Sequence, residues 1–167
     1  MCLAVRLATL CAAAWASIGL FIATESVANS LILGTSNELL SNGASALEQG
    51  DAINGIRLTL AGLKVSTDSH DMAAGHANLC AGYAMQQRWQ EAIFECNVSI
   101  EMDDTNWRTF NNRAAILVAT GSYDKAIADI LTALKIAPTS PTLQKSLEIA
   151  HEHKRAHRDR SRKATTA

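Results

Sequence analysis

The sequence predicts an all-α fold: a solenoid of about three helix-turn-helix repeats, with a capping helix after them and a signal-peptide helix before them. Three observations carry that reading. Alanine and leucine dominate a chain of 167 residues with only 2 prolines, a composition that favours helix. Apolar residues recur at helical rather than alternating spacing. The chain also matches itself at an offset of 34 residues, which lays Arg88–Asp104 over Ser122–Pro138, and a period of that length signals stacked helix pairs. At 48% hydrophobic, the chain supports one domain with a modest core.

The first element is residues 1–28. Arg6 precedes an apolar stretch from Leu7 to Ile22, and Ser26-Val27-Ala28 supplies a small-x-small site, the layout of a secretory signal peptide. Ser17 and Gly19 interrupt the stretch, which is short for a membrane span. Cleavage after Ala28 and export are therefore expected, to a periplasmic or secreted location. An uncleaved inner-membrane anchor is the alternative. A linker, 29–35, follows.

The repeats come next. In the pair at 73–106 and 107–140, Trp89 meets Tyr123, Ala92 meets Ala126, Ile93 meets Ile127, Ser99 meets Ala133 and Met102 meets Ile136. Cys80 falls opposite Ala114 more weakly. An earlier, degenerate copy occupies 36–69, with Gly43, Gly50, Gly55 and Gly62 at its small-residue and turn places. Glycine inside a helix is unfavourable by roughly 1 kcal/mol relative to alanine, so close helix crossings are expected there. The spacer "KVSTDSHDM" is longer than the period allows by 3 residues.

Ser140 and Pro141 then mark a helix start, a capping side chain before proline at the first helical place. Residues 141–150 read as a capping helix with a partial stripe of Leu143, Leu147 and Ala150. Residues 151–167 read as a basic, disordered tail. From Asn29 to Ala150 there are 8 Lys/Arg against 13 Asp/Glu, a net of −5. From His151 to Lys163 the 6 basic residues Lys154, Arg155, Arg158, Arg160, Arg162 and Lys163 face Glu152 and Asp159, a net of +4. The result is an acidic body with a basic tail.

A 34-residue period of two amphipathic helices, with Gly121 in the turn, Tyr123 and Ala126 opening the second helix, Ala133 at the close crossing and Pro138 at the end, resembles the tetratricopeptide repeat (TPR) family. The copy at 73–106 fits through Leu79, Cys80, Tyr83, Trp89, Ala92 and Ser99, with Ala114 opposite Cys80 in the next. Gln87 replaces the turn glycine there, and Asp104 replaces the proline. The resemblance covers about Ser36 to Pro138.

Cys80 and Cys96 face one another if the antiparallel pair turns at Gln87–Arg88. Spacing and missing ligands disfavour a redox motif or structural zinc, with His76 the one candidate third ligand. A disulfide or two buried thiols remain. If the signal segment is removed, Cys2 and Cys11 leave with it, and the oxidising compartment favours the disulfide. Closing a loop of about 15 residues stabilises by roughly 3 kcal/mol.

Residues for catalysis are not apparent: the chain has no Gly-rich phosphate loop, no Gly-x-Ser-x-Gly and no His-Glu-x-x-His. It is expected to be no enzyme, with no cofactor, no metal and no small-molecule substrate. His153 and His157, spaced for one helix face, read as part of a charged tail. Asn97-Val98-Ser99 fits a glycosylation sequon but falls within a packed helix.

The TPR resemblance implies a groove lined by the first helices of successive repeats. Here it would draw on Leu40, Ala44, Leu47, Ala77, Ala81, Met85, Arg108, Asn111, Ala115 and Val118, with Asn37, Ala74 and Ala84. The basic-and-asparagine clamp by which some TPR proteins hold a terminal carboxylate is not reproduced, since Ala77 and Ala81 replace two of its polar residues. The implied function is a protein-protein interaction module of the cell envelope, binding a peptide or a partner helix. The alternative is a charge-based binder of anionic lipid, cell-wall polymer or nucleic acid through the basic tail.

Overall fold

The computed structural model describes residues 38–165. The expected signal segment, its cleavage site, the 29–35 linker, Ser36, Asn37, Cys2 and Cys11 lie outside the described residues. Within them are seven helices and no strand: α1 Glu38–Glu48, α2 Ala52–Val65, α3 Ser69–Met85, α4 Trp89–Met102, α5 Trp107–Ala119, α6 Tyr123–Ile136 and α7 Pro141–Thr165. Helices α1/α2, α3/α4 and α5/α6 form three hairpins, and α7 packs on the last of them. No described helix is long and apolar enough to cross a membrane.

Each hairpin turns through one residue with left-handed backbone: Gly50 at φ 82°, Gln87 at φ 59° and Gly121 at φ 81°. The three positions are equivalent in the repeat. Glycine adopts this geometry without steric penalty, so Gln87 is the strained member.

In the first hairpin, glycines replace side chains where helices cross. A Cβ on Gly43 would lie 3.1 Å from the Gly55 carbonyl, and one on Gly62 would lie 2.7 Å from a Leu40 methyl. The first hairpin also presses against α3, where a Cβ on Gly82 would meet Ile56 at 2.6 Å. The glycines that weaken these helices locally are thus the residues that let them approach.

The long spacer takes an unexpected form. Asp68 caps α3 by accepting from the Asp71 amide at 3.0 Å and the His70 amide at 2.9 Å. Helix α3 therefore starts at Ser69, ahead of the expected boundary at 73, and the surplus residues form an extra turn of helix rather than a longer loop.

Between the second and third hairpins, Ser99 Oγ and Thr109 Oγ1 are hydrogen-bonded at 3.2 Å, and Ile116 packs into the cluster of Cys80, Ala92 and Cys96. Arg113 on α5 donates to Asp129 on α6 through two bonds of 2.7 and 2.8 Å and to Asn97 on α4 at 2.8 Å. This fork, favoured by guanidinium-carboxylate geometry, holds the Arg113 pKa above its ordinary value through the Asp129 hydrogen bonds. It also occupies the sequon asparagine, and Ser99 is fully buried.

Helix α7 starts as expected, with Ser140 Oγ accepting from the Leu143 amide at 3.4 Å. Leu143 and Ala150 are fully buried. The expectation of a disordered tail after residue 150 is corrected: α7 runs without a break to Thr165. Residues 151–165 contain neither glycine nor proline, and Lys, Arg and Ala are strong helix formers. Arg162 and Lys163 in the last turn complement the helix dipole. The rings of His153 and His157 lie 6.4 and 5.5 Å from Tyr123, and Lys154 pairs with Asp124.

Candidate protein-binding face

The first helices of the hairpins stack side by side, α1 on α3 and α3 on α5, and their common face is where a groove is expected. Packing across it changes the expected lining. Leu40, Ala44, Leu47, Ala77, Ala81 and Asn111 are each no more than 2% exposed. They hold neighbouring helices together instead of facing a ligand. The physical reason is the close crossing of α1, α2 and α3, which draws the leucines inward over the glycines. Asn78, buried beside them, donates from Nδ2 to the Leu40 carbonyl at 3.0 Å.

Met85, Arg108, Ala115 and Val118 remain half-buried, Met85 resting on Leu47 and Ala81 and Val118 on the cluster of Ala114, Ile130 and Ala150. Arg108 lies with its guanidinium 4.6 Å over the Trp107 ring, a cation-π contact that holds the side chain in place. Asn106 caps α5 by accepting from the Arg108 amide at 3.1 Å. Around this corner His70, Ala74, Asp103, Thr105, Asn106, Trp107 and Arg108 line a shallow cleft between the start of α3 and the start of α5. The Thr105 hydroxyl donates to Asp103 at 2.6 Å and holds its carboxyl below the usual carboxylate range.

Sequence reasoning named Arg108 but missed its neighbours His70, Asp103 and Trp107. The Asp103 to Asn106 turn separates the α4 end from the α5 start, and only the extra turn of α3 brings His70 up to it. Asp68, His70 and Asp71 also place ligand-type atoms within 4.8 Å of one another. Asp68 is engaged there as the α3 cap.

Among the residues assigned to repeat packing, Leu79, Ala92, Ser99, Ala114, Ala126 and Ala133 are at most 2% exposed. Tyr83, Trp89 and Tyr123 are half-buried, and Pro138 is exposed just after α6. Cys80 and Cys96 are joined by a disulfide, their Cα atoms 5.1 Å apart. His76, the candidate third ligand, instead sets Nδ1 2.6 Å from Glu95 Oε2 and ties α3 to α4.

No protein-family profile matches the chain. Among curated proteins, the peptidyl-prolyl cis-trans isomerases FKBP4 of Mus musculus and Rattus norvegicus are 27% identical to it over 90 residues, 54% of this chain and 20% of theirs. The match thus spans a fifth of those relatives. Among solved structures, the Arabidopsis OM64 TPR domain aligns with TM-score 0.61 at 18% identity, covering 69% of this chain and 93% of that domain. The first TPR domain of human RPAP3 aligns with TM-score 0.64 at 16% identity, covering 72% and 93%. The first TPR of Spaghetti (RPAP3), bound to the HSP90 peptide SRMEEVD, aligns with TM-score 0.61 at 18% identity, covering 68% and 90%. The helix-hairpin solenoid of this chain is the fold of tetratricopeptide repeat domains.

Proposed function

We propose that this chain is a non-catalytic interaction module that holds a peptide or partner helix on the face shared by α3 and α5. The observation that carries the reading is the set Met85, Arg108, Ala115 and Val118. With Ala84, these are the described groove positions that keep part of their surface once the helices have packed. Together they offer an apolar strip with one fixed cation. The Spaghetti domain, whose fold is similar, is bound to a peptide, and this supports a peptide as ligand here. The ligand class differs in chemistry. With Ala77 and Ala81 buried and no cation at either place, an apolar segment is favoured over a terminal carboxylate.

We further propose that the chain acts in the cell envelope after export. The signal-like layout of residues 1–28 and a fully buried Cys80–Cys96 disulfide support an oxidising compartment.

Peptides selected from a random display library against the oxidised protein test the site. Arg108→Glu and Val118→Glu should each weaken the selected peptides by more than about tenfold, or 1.4 kcal/mol. Phe94→Ser on α4, an exposed position away from this face, should leave them unchanged. Peptides indifferent to the first two substitutions place the site elsewhere, and selection of peptides that all require a free C-terminal carboxylate defeats the apolar reading.

A further inference from the structure

The basic end of α7 is ordered, and three of its six Lys/Arg share one line of the helix, with Glu148 and Glu152 beside it. The line that meets the body runs through Leu143, Leu147, Ala150, Lys154 and His157: the first three contribute to the core clusters, Lys154 pairs with Asp124, and His157 lies against Tyr123. The neighbouring line, one residue further along at each step and so about 100° around the helix, holds His151, Arg155, Arg158 and Arg162. All four are exposed. Glu152 and Asp159, the acidic residues beyond 150, lie on a different line, together with Lys163. From Arg155 to Arg162 the cationic stripe extends over roughly 10 Å.

We propose that this stripe is a second interaction surface, which lays α7 flat against an anionic phospholipid bilayer. Three features select that partner. Beyond residue 150 the apolar residues are Ala156 and Ala164, with Ala167 at the chain end, so the helix has no seam for a partner helix and nothing to insert into lipid. Attachment is then by charge alone. Arg155, Arg158 and Arg162 share one side of the helix, which suits a plane, while Lys154, Arg160 and Lys163 stand on other lines; a helix in a nucleic-acid groove meets phosphates on both walls. Three of the four stripe residues are arginines, whose planar fork pairs with phosphate oxygens two at a time. The acidic body, net −5 from Asn29 to Ala150, is repelled by the same surface, which favours contact through α7 alone.

The test is sedimentation of the full-length protein with phosphatidylcholine vesicles, with and without an equal share of phosphatidylglycerol. The difference between the two vesicle types isolates charge from any contribution of the apolar N-terminal stretch. Binding should be stronger to the anionic vesicles. That difference should vanish as ionic strength rises from about 0.01 M to about 1 M, over which the Debye length falls from roughly 30 to roughly 3 Å. The double variant Arg158→Glu/Arg162→Glu should weaken anionic partition by at least roughly 30-fold. Arg160→Glu/Lys163→Glu makes the same change in net charge off the stripe and should weaken it by less than about fivefold. All four positions are exposed, and circular dichroism checks that both variants keep their helix. Equal losses in the two variants, no difference between the vesicle types, or tighter binding to a random-sequence DNA duplex than to the anionic vesicles would each overturn the proposal.

Discussion

Cys80 and Cys96 stand opposite one another across α3 and α4, with Cα atoms 5.1 Å apart and both residues fully buried. The bond joins the two helices of the central hairpin, one side of a cluster completed by Ala92 and by Ile116 of the next hairpin. Closing a loop of this size stabilises by about 3 kcal/mol, a large share of the stability of a domain this small. Replacing both cysteines by alanine should lower the thermal midpoint by roughly 10 °C. In the native protein neither sulfur should react with an alkylating agent, and both should react after unfolding in reductant. Intact mass with and without reductant reads the bond directly; a native protein that alkylates at both positions would remove it.

Gln87 takes the left-handed turn at φ 59° that Gly50 and Gly121 take in the other hairpins. A side chain there is disfavoured by about 1–2 kcal/mol, part of which glycine gives back as chain entropy in the unfolded state. Gln87→Gly should therefore stabilise the domain by about 1 kcal/mol, raising the midpoint by roughly 4 °C. Gln87→Ala should give no such gain, and calorimetry of the two variants separates backbone relief from loss of the side chain.

The central hairpins were legible because their signal is repetition: Trp89 over Tyr123, Ala92 over Ala126 and Ser99 over Ala133 report equivalent packing whatever the details of the turns. The cysteine pairing was legible to the level of opposition, because an antiparallel hairpin fixes which positions meet. The extra turn of α3 was not. It depends on Asp68 capping the helix, and a surplus of residues reads equally well as loop. The accessible part of the groove was also hidden. Periodicity puts Leu40, Ala77 and Ala81 on the first-helix face, but how far they sink depends on the glycine crossings at Gly43, Gly55 and Gly62. The tail's polarity alone suggests disorder, whereas its helix propensity and the contacts of His153, Lys154 and His157 with the α6 start give it order.

Arg113 joins three helices from a partly buried position, its side chain 24% exposed against 12% for Asp129. Removing the cation leaves the Asp129 carboxylate and the Asn97 amide without their partner in a shielded setting. Arg113→Ala should destabilise by about 2–3 kcal/mol. Arg113→Lys should recover little of this, because an ammonium cannot reproduce the two-pronged pairing with Asp129 while reaching Asn97. Chemical denaturation of both variants tests the claim, and full rescue by lysine would show that charge rather than geometry matters.

Asp51 caps α2, accepting from the Asn54 amide at 3.0 Å and from the Asn54 side chain at 2.6 Å. These bonds, the backbone one foremost, hold its carboxyl below the ordinary aspartate range. Because the folded carboxyl is the more acidic, its stabilisation is fully present above the unfolded value of about 3.9 and disappears as pH falls through the folded one. An asparagine side chain caps a helix about as well as aspartate and does not titrate. Asp51→Asn should thus leave the thermal midpoint almost unchanged at neutral pH and flatten its decline below pH of about 4. Asp103, lowered by the Thr105 hydroxyl, should preserve part of that decline, and Asp51→Asn/Asp103→Asn should flatten it further. A midpoint that falls with acid as steeply in the double variant as in the parent would assign the acid sensitivity to other carboxylates.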